Sequence, residues 1–152
     1  MLPRYHIIIG LIISSSIVLL FNISLISGII IFLSSFLIDI DHYFYYIYKK
    51  KNLSIKKSYQ WFVKRTIKCK KIPKKQRKNY KSPVLIFHGI EFWLFIFILS
   101  LFYHFFFYIF IGIIIHMFVD ISYIIYQRYP CTSKISQINT YLKNKNKKQL
   151  IR

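Results

Sequence analysis

The chain has 152 residues, of which 55% are hydrophobic and 20% aromatic, and it sets 23 Lys and Arg against four Asp and Glu for a formal charge of +19. A soluble globular surface mixes both signs of charge, so this balance excludes an ordinary water-soluble domain. It fits a single domain-sized unit embedded in an anionic membrane.

The first apolar stretch, Ile7–Ile38, carries no charge and follows Arg4. As one helix it would be about 48 Å long, well beyond the roughly 30 Å hydrocarbon core. Two short helices joined near Asn22 and Ser24 fit better, and they return the chain to the side of Arg4. The run is too long for a signal-peptide core. Lys49–Lys51 then opens a basic loop, with 15 Lys and Arg in residues 49–81. Within it, Ser54–Lys71 carries Tyr59, Trp61, Phe62, Val63 and Ile67 among lysines, and Pro73 follows. That pattern predicts a basic amphipathic helix on the anionic inner leaflet. Cys69 lies here and Cys131 in the tail; without a Cys-x-x-Cys pair they read as reduced thiols.

Two further apolar segments follow, from about Pro83 to Leu101 and from His104 to Tyr126. Pro83 suits the first turn of the third helix. The aromatic cluster Phe102–Phe107 marks the turn between them as a membrane boundary. The tail 128–152 has seven Lys and Arg and reads as solvated and disordered. The expected fold is therefore an all-α integral membrane protein with about four transmembrane helices. Residues 1–127 form the membrane domain, with loop 49–82 inserted and containing an interfacial helix. Because every basic residue falls on one side, both termini and the loop are expected in the cytoplasm of a multi-pass cell-membrane protein.

The four carboxylates, Asp39, Asp41, Glu91 and Asp120, all lie within or at the ends of apolar segments, and none lies in the basic regions. A buried carboxylate in lipid is costly and needs a partner. Each has a histidine near it: Asp39 and Asp41 beside His42, His88 three before Glu91, His116 four before Asp120. Spacings of three and four share a helix face. Imidazole and carboxylate together suit zinc, manganese or iron. The charge-derived topology also brings His6, Asp39, Asp41, His42, His88, Glu91, His116 and Asp120 to the cytoplasmic half, while His104 falls on the opposite face. These eight are the candidate metal ligands. His42, His88, His116, Asp39 and Asp120 are the expected core set. Glu91 is a ligand or the general base, and His6 and Asp41 are bridging or supporting groups, with Asp41 beside Glu91 as a candidate for proton transfer. A salt-bridged packing network is the competing reading.

At these residues the chain resembles the prokaryotic membrane-bound metal-dependent hydrolases. The matching pattern is His6, then Asp39-Ile40-Asp41-His42, then His88-Gly89-Ile90-Glu91, then His116-Met117-Phe118-Val119-Asp120. It departs from the family in having Ile38 where proline often precedes the first Asp. The resemblance implies a metal-dependent hydrolase of the prokaryotic inner membrane. Under a cationic loop, an anionic membrane-resident substrate such as a phospholipid is expected, with inner-leaflet headgroups as partners. The chain lacks His-Glu-x-x-His, a glycine-rich phosphate loop and Gly-x-Ser-x-Gly. Two other classes use the same features: a metal-ion or proton transporter, and a membrane tether whose basic loop binds nucleic acid or protein.

Overall fold

The computed structural model describes residues 3–126 and 136–150; Arg128, Cys131 and Lys134 lie outside the described residues. The described chain is helical: α1 (Pro3–Phe21), α2 (Leu25–Leu37), α3 (Ile40–Lys50), α4 (Ile55–Lys71), α5 (Lys74–Arg77), a 3-10 turn (Ile86–His88), α6 (Ile90–Phe102), α7 (His104–Tyr126) and α8 (Gln137–Asn144). No strand occurs among the described residues, only an isolated bridge between Tyr80 and Lys148.

The first apolar stretch divides where expected. Asn22 adopts a left-handed backbone (φ 49°), and Ser24 caps α2 by accepting from the Ser27 N–H at 3.1 Å. Two helical stretches, Leu25–Lys50 and His104–Tyr123, are long and apolar enough to cross a membrane; α1 and the 13-residue α6 are apolar but shorter. Large apolar side chains cover the outside of these helices, among them Leu19, Leu20, Leu25, Leu101 and Phe118.

Small residues set the spacing of the bundle. A Cβ on Gly112 of α7 would lie 2.6 Å from the Ile31 carbonyl oxygen and 2.6 Å from Ser34 Cβ, so α7 rests directly on the α2 backbone. Gly10 of α1 likewise meets Ser35 of α2. Close approach through small residues is how helices associate where lipid removes the hydrophobic drive. The buried serines of these faces satisfy themselves locally: Ser35 Oγ donates to the Phe32 carbonyl at 2.7 Å and Ser14 Oγ to Leu11 at 3.1 Å. Ile38, Ile96 and Ile113 form an apolar core beside this contact, flanked by Phe92, Phe110 and Met117.

The loop helix forms as expected, with Ser54 as its N-cap. Its aromatic face turns inward: Trp61 packs against Tyr45 and Tyr46 of α3, and Phe62 meets His42 edge-on at 4.9 Å. Two elements differ from the sequence expectation. Pro83 does not open the third helix; the backbone stays non-helical to Leu85, makes the 3-10 turn, and enters α6 only after Gly89 (ψ 143°). In the tail, Ser136 caps α8 through the Asn139 N–H, and α8 docks on Ser82, Leu85 and Glu91 through polar side chains that composition does not single out.

Candidate metal centre

The helix that carries the Asp-x-Asp-His motif changes its hydrogen bonding there. Asp39 N–H donates to Phe36 O (3.2 Å), Asp41 N–H to Ile38 O (3.4 Å) and His42 N–H to Asp39 O (3.1 Å), all over three residues instead of four. Such tightening inside a helix is common at functional positions. It has a direct consequence: the Ser35 carbonyl, which Asp39 N–H would occupy in a regular helix, accepts instead from His116 Nδ1 at 2.9 Å.

His116 lies one turn beyond Gly112 and His6 one turn before Gly10, so the two close helix contacts bring both rings beside Ser35. The rings stack with centroids 4.1 Å apart. His116 is fully buried and His6 is 1% exposed. His6 Nε2 lies 3.2 Å from Asp120 Oδ1, and among the described residues neither of its ring nitrogens meets full hydrogen-bond geometry.

The 3-10 turn delivers His88. Asp41 Oδ2 accepts from the Phe87 N–H at 3.1 Å and from His88 Nδ1 at 3.0 Å, and Trp93 Nε1 donates to the Phe87 carbonyl. Asp41 also holds His42, whose Nδ1 lies 3.1 Å from its Oδ1 and 3.4 Å from Asp39 Oδ1. Asp41 is thus spent on orienting two histidines.

These bonds fix the tautomers. A carbonyl and a carboxylate only accept, so His116 and His88 carry their protons on Nδ1. Their Nε2 atoms face each other at 3.1 Å. Two bare nitrogens at that distance repel unless a proton or a cation lies between them. Asp39 Oδ1 is 3.5 Å from His88 Nε2 and 3.8 Å from His116 Nε2; Asp120 Oδ2 is 3.9 and 3.8 Å from the same atoms. A tetrahedral metal with ligands at about 2.0–2.1 Å holds them about 3.3–3.4 Å apart. These five separations lie within about 0.6 Å of that spacing. Two carboxylates and two neutral imidazoles also balance one divalent cation. The described residues offer three overlapping groups able to hold a metal ion: His6, Asp39 and His116; Asp39, His42 and His88; His88, His116 and Asp120. The buried His6 ring beside Asp120 and the facing Nε2 atoms of His88 and His116 fit such an ion.

Seven of the eight sequence candidates therefore converge: His6, Asp39, Asp41, His42, His88, His116 and Asp120. Glu91 is absent from the metal-capable groups. Its carboxylate accepts from Ser136 Oγ (2.5 Å) and from the Gln137 and Ile138 N–H groups (3.1 and 3.3 Å), neutralising the N-terminus of α8. The reason is the non-helical Gly89: His88 and Glu91 do not share a helix face, so their three-residue spacing does not aim them at one point. His104 begins α7, more than three turns from His116, and packs with Phe107 and Tyr108. Sequence reasoning missed the Ser35 carbonyl and the Phe62 ring against His42. The signal for the former was present, since His6–Gly10–Ser14 and Gly112–His116 place a small residue one turn from each histidine.

Comparison with family models, with characterised proteins and with solved structures gives no match for this chain.

Proposed function

We propose that the protein is a multi-pass cell-membrane protein that holds a divalent metal, zinc foremost, near the cytoplasmic face and hydrolyses an anionic lipid there. The facing Nε2 atoms of His88 and His116, with Asp39 and Asp120 directed to the same point, carry this reading. The apolar exterior of the bundle and the one-sided basic residues support membrane insertion with the loop and termini inside. The motif resemblance to membrane-bound metal-dependent hydrolases supports the reaction class.

A bound divalent cation supplies Lewis acidity and a water of lowered pKa. His88, His116, Asp39 and Asp120 hold it, with His6 as a further donor beside Asp120. Asp41 orients His88 through Nδ1 and fixes its tautomer, a support that metal-binding histidines regularly have. His42, the most exposed of the four histidines at 33% of its side chain, stands at the mouth of the site and is the group placed to move a proton. Lys49, Lys50 and Lys51, at the end of the helix that carries His42, draw a phosphate-bearing lipid toward that mouth.

The test is elemental analysis of protein purified in detergent without chelator, beside His88→Ala/His116→Ala. One or two equivalents of zinc, manganese or iron, lost in the double variant, support the centre. Metal-free wild type would leave His88 as an imidazolium in a packing network and would sink the enzyme. Metal-loaded protein that leaves every phospholipid and lipid phosphate intact would remove the hydrolase while keeping the centre.

A further inference from the structure

The tail and the segment before His88 meet in a concavity away from the metal cluster. Lys78, Asn79, Lys143, Asn146, Lys147 and Lys148 line a space of about 530 Å³. Among the described residues no carboxylate lines it. Its two walls are fastened to each other: Lys81 N–H donates to the Lys148 carbonyl (2.8 Å), and Lys148 N–H donates to the Asn79 carbonyl (2.9 Å). One turn away, the Asn144 amide brackets the Ser82 backbone, accepting from its N–H at 3.0 Å and donating to its carbonyl at 2.8 Å. The lysines are therefore held together by a built framework, although four ammonium groups around one space repel.

Repulsion of this kind is relieved by an anion, and two amide side chains add neutral donors between the charges. Lys is a point-charge binder of phosphate. We infer that this concavity is a binding site for a phosphate-bearing anion, separate from the metal centre. Its walls belong to the same strap that continues through Gln137, which accepts from the Leu85 N–H, to the turn carrying His88. An anion that draws Lys78 toward Lys143, Lys147 and Lys148 tightens that strap. The anion is a free phosphate or the headgroup of an anionic phospholipid, two sources of one chemistry.

The test uses the full chain in a neutral detergent, with thermal unfolding followed by fluorescence of Trp61 and Trp93. Inorganic phosphate and dihexanoyl phosphatidylglycerol are each compared with chloride at matched ionic strength. Three proteins are compared: wild type, Lys143→Gln/Lys147→Gln/Lys148→Gln, and Lys56→Gln/Lys57→Gln/Lys64→Gln, which removes the same charge from α4. A ligand at about ten times its dissociation constant raises the unfolding temperature by about 3 °C. That rise in wild type and in the α4 variant, lost in the tail variant, is the expected result. A rise with phosphate assigns free phosphate; a rise with the lipid alone assigns the headgroup. No rise with either probe, or a rise retained in the tail variant, overturns the site. Should the tail variant fail to fold, Lys143→Gln alone, with a weakened rise expected, serves in its place. Bound metal is measured in the same samples, and an unchanged content keeps this result distinct from that of the metal centre.

Discussion

Gly112→Ala tests whether the helix contact that places His116 is as tight as the structure has it. The added Cβ would lie 2.6 Å from Ser34 Cβ and 2.6 Å from the Ile31 carbonyl oxygen. Carbon atoms in contact prefer about 3.5–4.0 Å, so α7 must back away by about 1 Å. The His116 Nδ1–Ser35 bond of 2.9 Å spans the same interface. Stretched by that amount it is no longer a hydrogen bond. Overpacking costs about 1–3 kcal/mol, and a buried donor left unpaired costs about 1–3 kcal/mol more. For a chain of this size the sum lowers the unfolding temperature by roughly 5–15 °C. The assay is thermal unfolding in detergent together with metal content. Gly28→Ala is the control, because its Cβ would meet the Val18 side chain, 2.3 Å away, which can rotate, and it lies far from the cluster in sequence. Gly112→Ala is expected to lose bound metal as well as stability, and Gly28→Ala to keep its metal. Wild-type stability and metal content in Gly112→Ala would refute the packing account of how the site is assembled.

Asp41→Asn removes the charge that orients His88 while keeping the shape of the side chain. Metal affinity is expected to fall about 10- to 100-fold with stoichiometry restored at high metal, measured by competition with a chelating dye. Asp39→Asn, which removes a donor directed at the shared point, is expected to lose stoichiometric binding in the same assay. Glu91→Gln is expected to leave metal content unchanged and to speed amide exchange in Gln137–Asn144, because the carboxylate holds the start of α8; metal loss in this variant would return Glu91 to the ligand set. Prolonged chelation of the wild type is expected to lower its unfolding temperature by several degrees, since an ion bound only by the folded chain stabilises it.

The sequence by itself determined that the chain is helical and where its first two helices part, and it singled out the acids and histidines, of which Asp39, Asp41, Asp120, His6, His42, His88 and His116 meet while Glu91 does not. Asn22 and Ser24 are local turn and cap signals, and a carboxylate in an apolar run announces its need for a partner wherever it is read. Ser54 with its aromatic-lysine pattern likewise foretold α4, because capping and periodicity are local properties. What tertiary structure decided was the division of labour among those residues. Asp39 and Asp41 are two residues apart in one motif, yet one faces the shared point and the other supports His88 and His42. That split follows from three-residue hydrogen bonding at the α2–α3 junction, which composition does not encode. Glu91 sits three residues from His88 but serves α8, because the backbone at Gly89 is extended and the tail returns to meet it. Spacing along the chain predicts a shared face only where the helix is continuous; where it breaks, long-range contacts choose each side chain's partner.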